Sequence, residues 1–120
     1  MGINYLLNRV VEAIVVSSQS DKIEFLCADG STLVMHHLQD CCESVLIREI
    51  AGDMGDLFKH GLPITQAEEV TNDIQQEGTD GAESFRWTFY KLGTVRGVVT
   101  ITWLGMSNGY YSEAVDITIL

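Results

Sequence analysis

Between Phe85 and Tyr90 the chain alternates at every step: Phe85, Trp87 and Phe89 fall on one parity, Arg86, Thr88 and Tyr90 on the other. A period of two is the signature of an extended strand, whose successive side chains point to opposite faces. No helix satisfies it. The stretch therefore predicts a strand with one aromatic face. Leu92, Gly93 and Thr94 supply the following turn region, and Val95 to Leu104, rich in Val, Ile and Thr, predicts a second strand. Ser107-Asn108-Gly109 is a turn signal, after which Tyr110 to Leu120 alternates again with Tyr111, Val115, Ile117 and Ile119 on one face. The last third of the chain thus reads as three successive antiparallel strands.

The first third carries a similar pattern. Ile3 to Asn8 predicts a short helical turn, and Val10 to Val16 is β-branched and apolar. Lys22 to Cys27 alternates, an Ala-Asp-Gly turn follows, and Thr32 to His37 resumes a strand. Residues 10–37 accordingly predict a three-stranded meander. Ser44 to Ile50 is compatible with a strand or a helix start. Gly52 to Gly61 predicts a loop or one helical turn. Ile64 to Val70 leans to strand, because the position after Pro63 favours extension over the helical propensity of Gln66-Ala-Glu-Glu. Residues 72–83, the most polar stretch, predict an exposed loop. The expected fold class is α+β: a mainly antiparallel β-sheet with short helices, in a single compact domain over residues 1–120.

Charge narrows the function. The net charge is −10, with seven Lys and Arg against 17 Asp and Glu. Long nucleic-acid contacts require many cations to neutralise phosphates, so direct binding of this kind is not expected. An acidic surface favours basic partners, and a nucleotide-sized ligand needs only one or two arginines. No apolar run approaches the roughly 20 residues of a membrane helix. Glu12 inside the first apolar stretch argues against a signal peptide, and Leu6 stands where a myristoylation motif needs Ser or Thr. Adjacent cysteines rarely bridge each other, so Cys27, Cys41 and Cys42 are expected to be reduced, in a cytoplasmic setting.

The densest chemical cluster is His36-His-Leu-Gln-Asp-Cys-Cys-Glu-Ser-Val45. As a metal site it offers His37, Cys41 and Cys42, with Asp40 nearby. Zinc prefers spaced pairs of ligands, and adjacent residues in a strand diverge to opposite faces. As a thiol site it lacks an electropositive setting, since Asp40 and Glu43 flank the cysteines. The simpler reading is structural, with the cysteines as small buried apolar groups, Asp40 as a cap for the next segment and Glu43 as its capping-box partner. The P-loop, dinucleotide, zinc-protease and serine-hydrolase motifs are all absent from the sequence. No cofactor and no catalytic residue is expected.

A second constellation suits recognition. Arg86, Arg96, Thr100 and Thr102 lie in the two clearest strands, with Asn108, Tyr110, Tyr111 and Ser112 beyond them. Tyrosine offers a flat apolar ring with a polar tip, and arginine meets phosphate or carboxylate in fork geometry. These eight are the expected ligand-binding residues, against the plainer alternative of ordinary sheet residues and solvated arginines.

The blocks QDCCESV, GDMGDL, PITQAEEVT, ESFRWTFYKLGTVRG and NGYYSE resemble a group of small uncharacterised phage and prophage proteins, over roughly residues 24–115. The resemblance implies a viral accessory protein acting in the bacterial cytoplasm. From that follow three expectations. The first is a non-enzymatic counter-defence binder that sequesters a small nucleotide signal or blocks a host defence protein, with a homo-oligomer completing the site if needed. The second is an acidic nucleic-acid mimic that occupies a basic groove. The third is a metal or thiol enzyme at His37, Cys41 and Cys42.

Overall fold

The computed structural model describes residues 2–39, 42–76, 83–107 and 112–120, with the backbone alone described for 73–76 and 83. After a 3-10 turn at Ile3–Leu6 come β1 (Val11–Val16), β2 (Lys22–Cys27), β3 (Thr32–His36), β4 (Ser44–Ala51), α1 (Met54–Phe58), β5 (Gln66–Gln76), β6 (Glu83–Thr94), β7 (Gly97–Ser107) and β8 (Asp116–Ile119). The strands form two four-stranded sheets, in the orders β1-β2-β3-β8 and β4-β7-β6-β5. Every pairing is antiparallel. The expected antiparallel architecture is present. Among the described residues its helical share is limited to one five-residue α-helix and the 3-10 turn.

One apolar core joins the two sheets. Ile23, Phe25, Leu33, Met35 and Ile117 of the first sheet share it with Tyr90, Leu92, Val99, Ile101 and Trp103 of the second. Alternation explains the assembly: on β7, Val99, Ile101 and Trp103 point inward and are buried, while Val98, Thr100, Thr102 and Met106 point outward. Trp103 is fully buried and its indole N–H lies 3.2 Å from the Met35 sulfur, a direct link between the sheets. The short helix α1 is capped by Asp53, whose carboxylate accepts from the Asp56 N–H at 3.0 Å, and it buries Leu57 and Phe58.

Three expectations change. Residues 72–83 are not one loop: β5 runs to Gln76 and β6 starts at Glu83, in unbroken register from Gln66↔Gly93 to Gln76↔Glu83. β8 covers only Asp116–Ile119, and it pairs with β3 in the other sheet, not with β7. Ser44–Ala51 is a strand, so Glu43 is not a helix-capping partner; Asp40 lies outside the described residues. The long axis of the molecule is 50 Å, twice the other two, because β5, β6 and β7 are about twice as long as the strands of the first sheet.

Candidate functional site

The histidine cluster resolves into a closed network. His37, just past β3, is buried together with Glu43, just before β4; their side chains are 3% and 0% exposed. The His37 Nδ1 lies 2.6 Å from the Ala114 carbonyl oxygen, and Nε2 lies 3.1 Å from Glu43 Oε2. A carbonyl only accepts, so Nδ1 carries a proton. Gln39 closes the ring by donating to Glu43 Oε1 at 2.9 Å and to the Glu43 carbonyl at 2.6 Å. His36 points elsewhere, its Nε2 2.9 Å from the Thr118 hydroxyl. Shallow hollows of about 350 and 260 Å³ flank His37, but both of its ring nitrogens are already engaged. A general base must reach a substrate proton, and this imidazole cannot do so without first breaking the network. It ties β3, β4 and the segment before β8 together.

Among the described residues the cysteines do not complete a metal site. Cys42 is disulfide-bonded and exposed, which departs from the reduced state expected for it. Cys41 lies outside the described residues. Cys27 is a free, buried thiol on β2, and burial pushes its pKa up, away from nucleophilic use. Among the described residues no three His, Cys, Asp or Glu side chains converge on a metal-sized point.

The expected binding residues separate. Arg86 shares its parity with the buried Thr88 and Tyr90 and pairs with Gly105, so it faces the inner side. Arg96 lies in the β6–β7 turn beyond Thr94, near enough to Asp56 to help lower that carboxyl's pKa, chiefly a result of its contact with Lys59. The run of strand between Arg86 and that turn is on the order of 25 Å, too long for two arginines to share one phosphate. Thr100 and Thr102 sit on the outer face of β7, opposite Lys91 and Phe89. Ser112 is exposed and its hydroxyl accepts from the Ala114 N–H. Asn108, Tyr110 and Tyr111 lie outside the described residues.

Around Thr102 is a surface of which the sequence indicated only the aromatic face of β6. The register sets Val70 beside Phe89 and Phe89 beside Thr102; the next row is Asn72, Trp87, Leu104 and Leu46; the next brings Phe85 beside Met106. Trp87 and Phe89 stack with centroids 6.4 Å apart and planes 14° apart. Phe85, Trp87 and Phe89 are half-buried, while Leu46, Val70 and Met106 are exposed. Outer faces of antiparallel sheets are ordinarily polar. Here four strands and three rows build a largely apolar patch on the order of 15 by 20 Å, comparable to the largest apolar patch of an ordinary monomer, which is often functional. Lys91, Glu68, Arg48 and Glu49 lie around it.

On the inner side of the same sheet, Glu113 covers Gly105, where a Cβ would approach its Cβ to 2.7 Å. Glu113 is buried, with one carboxylate oxygen accepting from Ser84 at 2.8 Å and the other without a hydrogen-bond partner. Tyr90 donates to Glu69 at 2.9 Å; burial, then the charge of that carboxylate, drives the phenol pKa far up.

Residues 4–117 match the family described as a domain of unknown function, DUF7448, and the chain belongs to that family. No curated protein and no solved structure matches the chain. Among the described residues, no helix is long and apolar enough to cross a membrane.

Proposed function

We propose that this protein is a non-catalytic binding module that presents the outer face of β4-β7-β6-β5 to a partner protein, and that it acts as a phage or prophage accessory factor by occluding a host defence protein. The observation that carries this reading is the registered patch of Phe85, Trp87, Phe89, Leu46, Val70 and Met106, packed around the buried Leu104, on a face that sheet pairing leaves open. Aromatic groups in such a setting are the usual anchors of protein interfaces. The charge of −10 favours a partner with a basic surround. Capture of a small nucleotide is the weaker version, because Arg86 and Arg96 do not converge. Nucleic-acid mimicry is weaker too: Glu43 and Glu113 are buried, and Asp29, Glu24 and Asp56 are paired with Arg9, Lys22 and Lys59. An enzymatic reading at His37 conflicts with the engagement of both its nitrogens.

The test is site-specific photo-crosslinking in host cells, with a benzophenone amino acid at Phe89 and, as control, at Val15 on β1. A discrete adduct from position 89 that disappears with Trp87→Asp supports the reading. Equal adducts from both positions, or none from 89, would remove it.

A further inference from the structure

Two sheets give four edges, and three of them are blunted. β1 carries a register break between Val11 and Ala13. β4 carries one between Ile47 and Glu49, and the loop before β2 covers it, with the Ile47 N–H bonded to the Ser20 carbonyl at 2.7 Å. β8 has only four residues. β5 differs on each count. It has eleven residues, unbroken register with β6, and no proline or lysine. The 3-10 turn touches it near its start, where the Asn8 N–H bonds the Ile64 carbonyl, and Glu68 to Asn72 beyond are all exposed. Bulges, brevity, covering loops and lysines are the devices that keep an edge from accepting another strand. On β5 the charged residues are all acidic.

We infer that the outer edge of β5 is a strand-addition site for an extended segment of a partner protein in which apolar and basic residues alternate. This deepens the reading of the outer face and rests on it. The apolar patch, some 300 Å² from the strand spacings, is well short of the roughly 800 Å² per partner of a stable interface. An added strand supplies the missing contacts through main-chain hydrogen bonds, with specificity from alternate side chains. On one parity its side chains would stand beside Val70 and Asn72 and extend the aromatic face. On the other they would stand beside Glu69 and Thr71, where the carboxylate favours lysine or arginine. A second copy is disfavoured by the same charges. In the fullest antiparallel self-pairing, centred on Thr71, Glu69 falls opposite Asp73 twice, and like charges directly opposite are destabilising.

The probe is a blocked nine-residue peptide of alternating valine and lysine, titrated into the full chain while amide hydrogen exchange is followed. Protection is expected at Glu68–Asn72 and not at Val11–Val16. A valine–glutamate peptide should bind at least tenfold more weakly. Of two peptides N-methylated on alternate residues, the one methylated toward β5 should lose binding and the other keep it. Absence of binding, equal binding by both methylated peptides, or protection confined to other strands overturns the inference. Protection of β5 that rises with protein concentration and no peptide assigns the edge to a second copy and overturns it as well. If the peptide fails while the position-89 adduct persists, face docking stands and strand addition falls; the converse outcome separates them the other way.

Discussion

Trp87 and Trp103 stand on neighbouring strands of one sheet and face opposite ways. Trp103 is sealed between the sheets against Met35, its polar atom in contact with sulfur. Trp87 stacks on Phe89 at the open surface, half-buried by its own neighbours. The same residue type therefore holds the fold on one side and is left available on the other. The difference separates what the molecule needs in order to exist from what it has to offer. The His37–Glu43–Gln39 network belongs with Trp103: its hydrogen-bonding capacity is consumed internally.

The largest effect expected is from Trp103→Ala, which leaves a cavity between the sheets and should cost about 4 kcal/mol by chemical denaturation. A loss below about 1 kcal/mol would erase the distinction between the faces. Glu43→Ala leaves the buried His37 ring without its carboxylate partner, while Gln39 keeps its bond to the residue-43 carbonyl, and should cost about 3 kcal/mol. If the variant is as stable as the parent, the network is not structural and His37 regains standing as a functional group.

Tyr90→Phe should cost about 1 kcal/mol near neutral pH through loss of the bond to Glu69. Its clearer signature is in alkali. The folded phenol resists ionisation while the unfolded one titrates near its ordinary value of about 10. Above that pH the unfolded state holds fewer protons than the folded one, so stability falls as pH rises. The buried Cys27 thiol, also raised, pulls in the same direction. Denaturation midpoints from pH 9 to 11 should therefore fall more steeply in the parent than in Tyr90→Phe, and parallel slopes would refute the assignment. The smallest effect is expected from Trp87→Thr, less than about 1 kcal/mol in stability, with loss of the position-89 adduct. A Trp87 variant that unfolds the chain would make the outer face part of the scaffold.

What the sequence made legible follows from which residues have a buried side. β2 and β6 have one, so Ile23, Phe25 and Cys27, or Phe85, Trp87 and Phe89, announce their strands by alternation, while β7 was legible from its Val, Ile and Thr content. β5 escaped past Val70 because Glu68 to Asn72 are exposed on both parities, which leaves no period to read. The pairing of β8 with β3 escaped because periodicity gives a face and never a neighbour. Parity did place Arg86 against the aromatic set; that Thr100 and Thr102 share the aromatic face came only with the register of β6 on β7. Parity could not say which side was inner; that depends on Tyr90 and Leu92 meeting a second sheet. His37 and Glu43 were each visible as polar residues, but their contact brings the end of β3 to the start of β4, a juxtaposition that no spacing rule encodes.

The β3–β8 pairing also orders events in time. Leu33 meets Ile119, and Met35 meets Ile117, across more than eighty positions of chain. The amino-terminal meander is made early, yet its third strand waits beside an open neighbour until the final strand has been synthesised. Assembly of the first sheet is thus coupled to completion of translation of this region, and such distant closure is entropically slow. A nascent chain halted after Ser107 would display the flank of β3 that the finished molecule conceals.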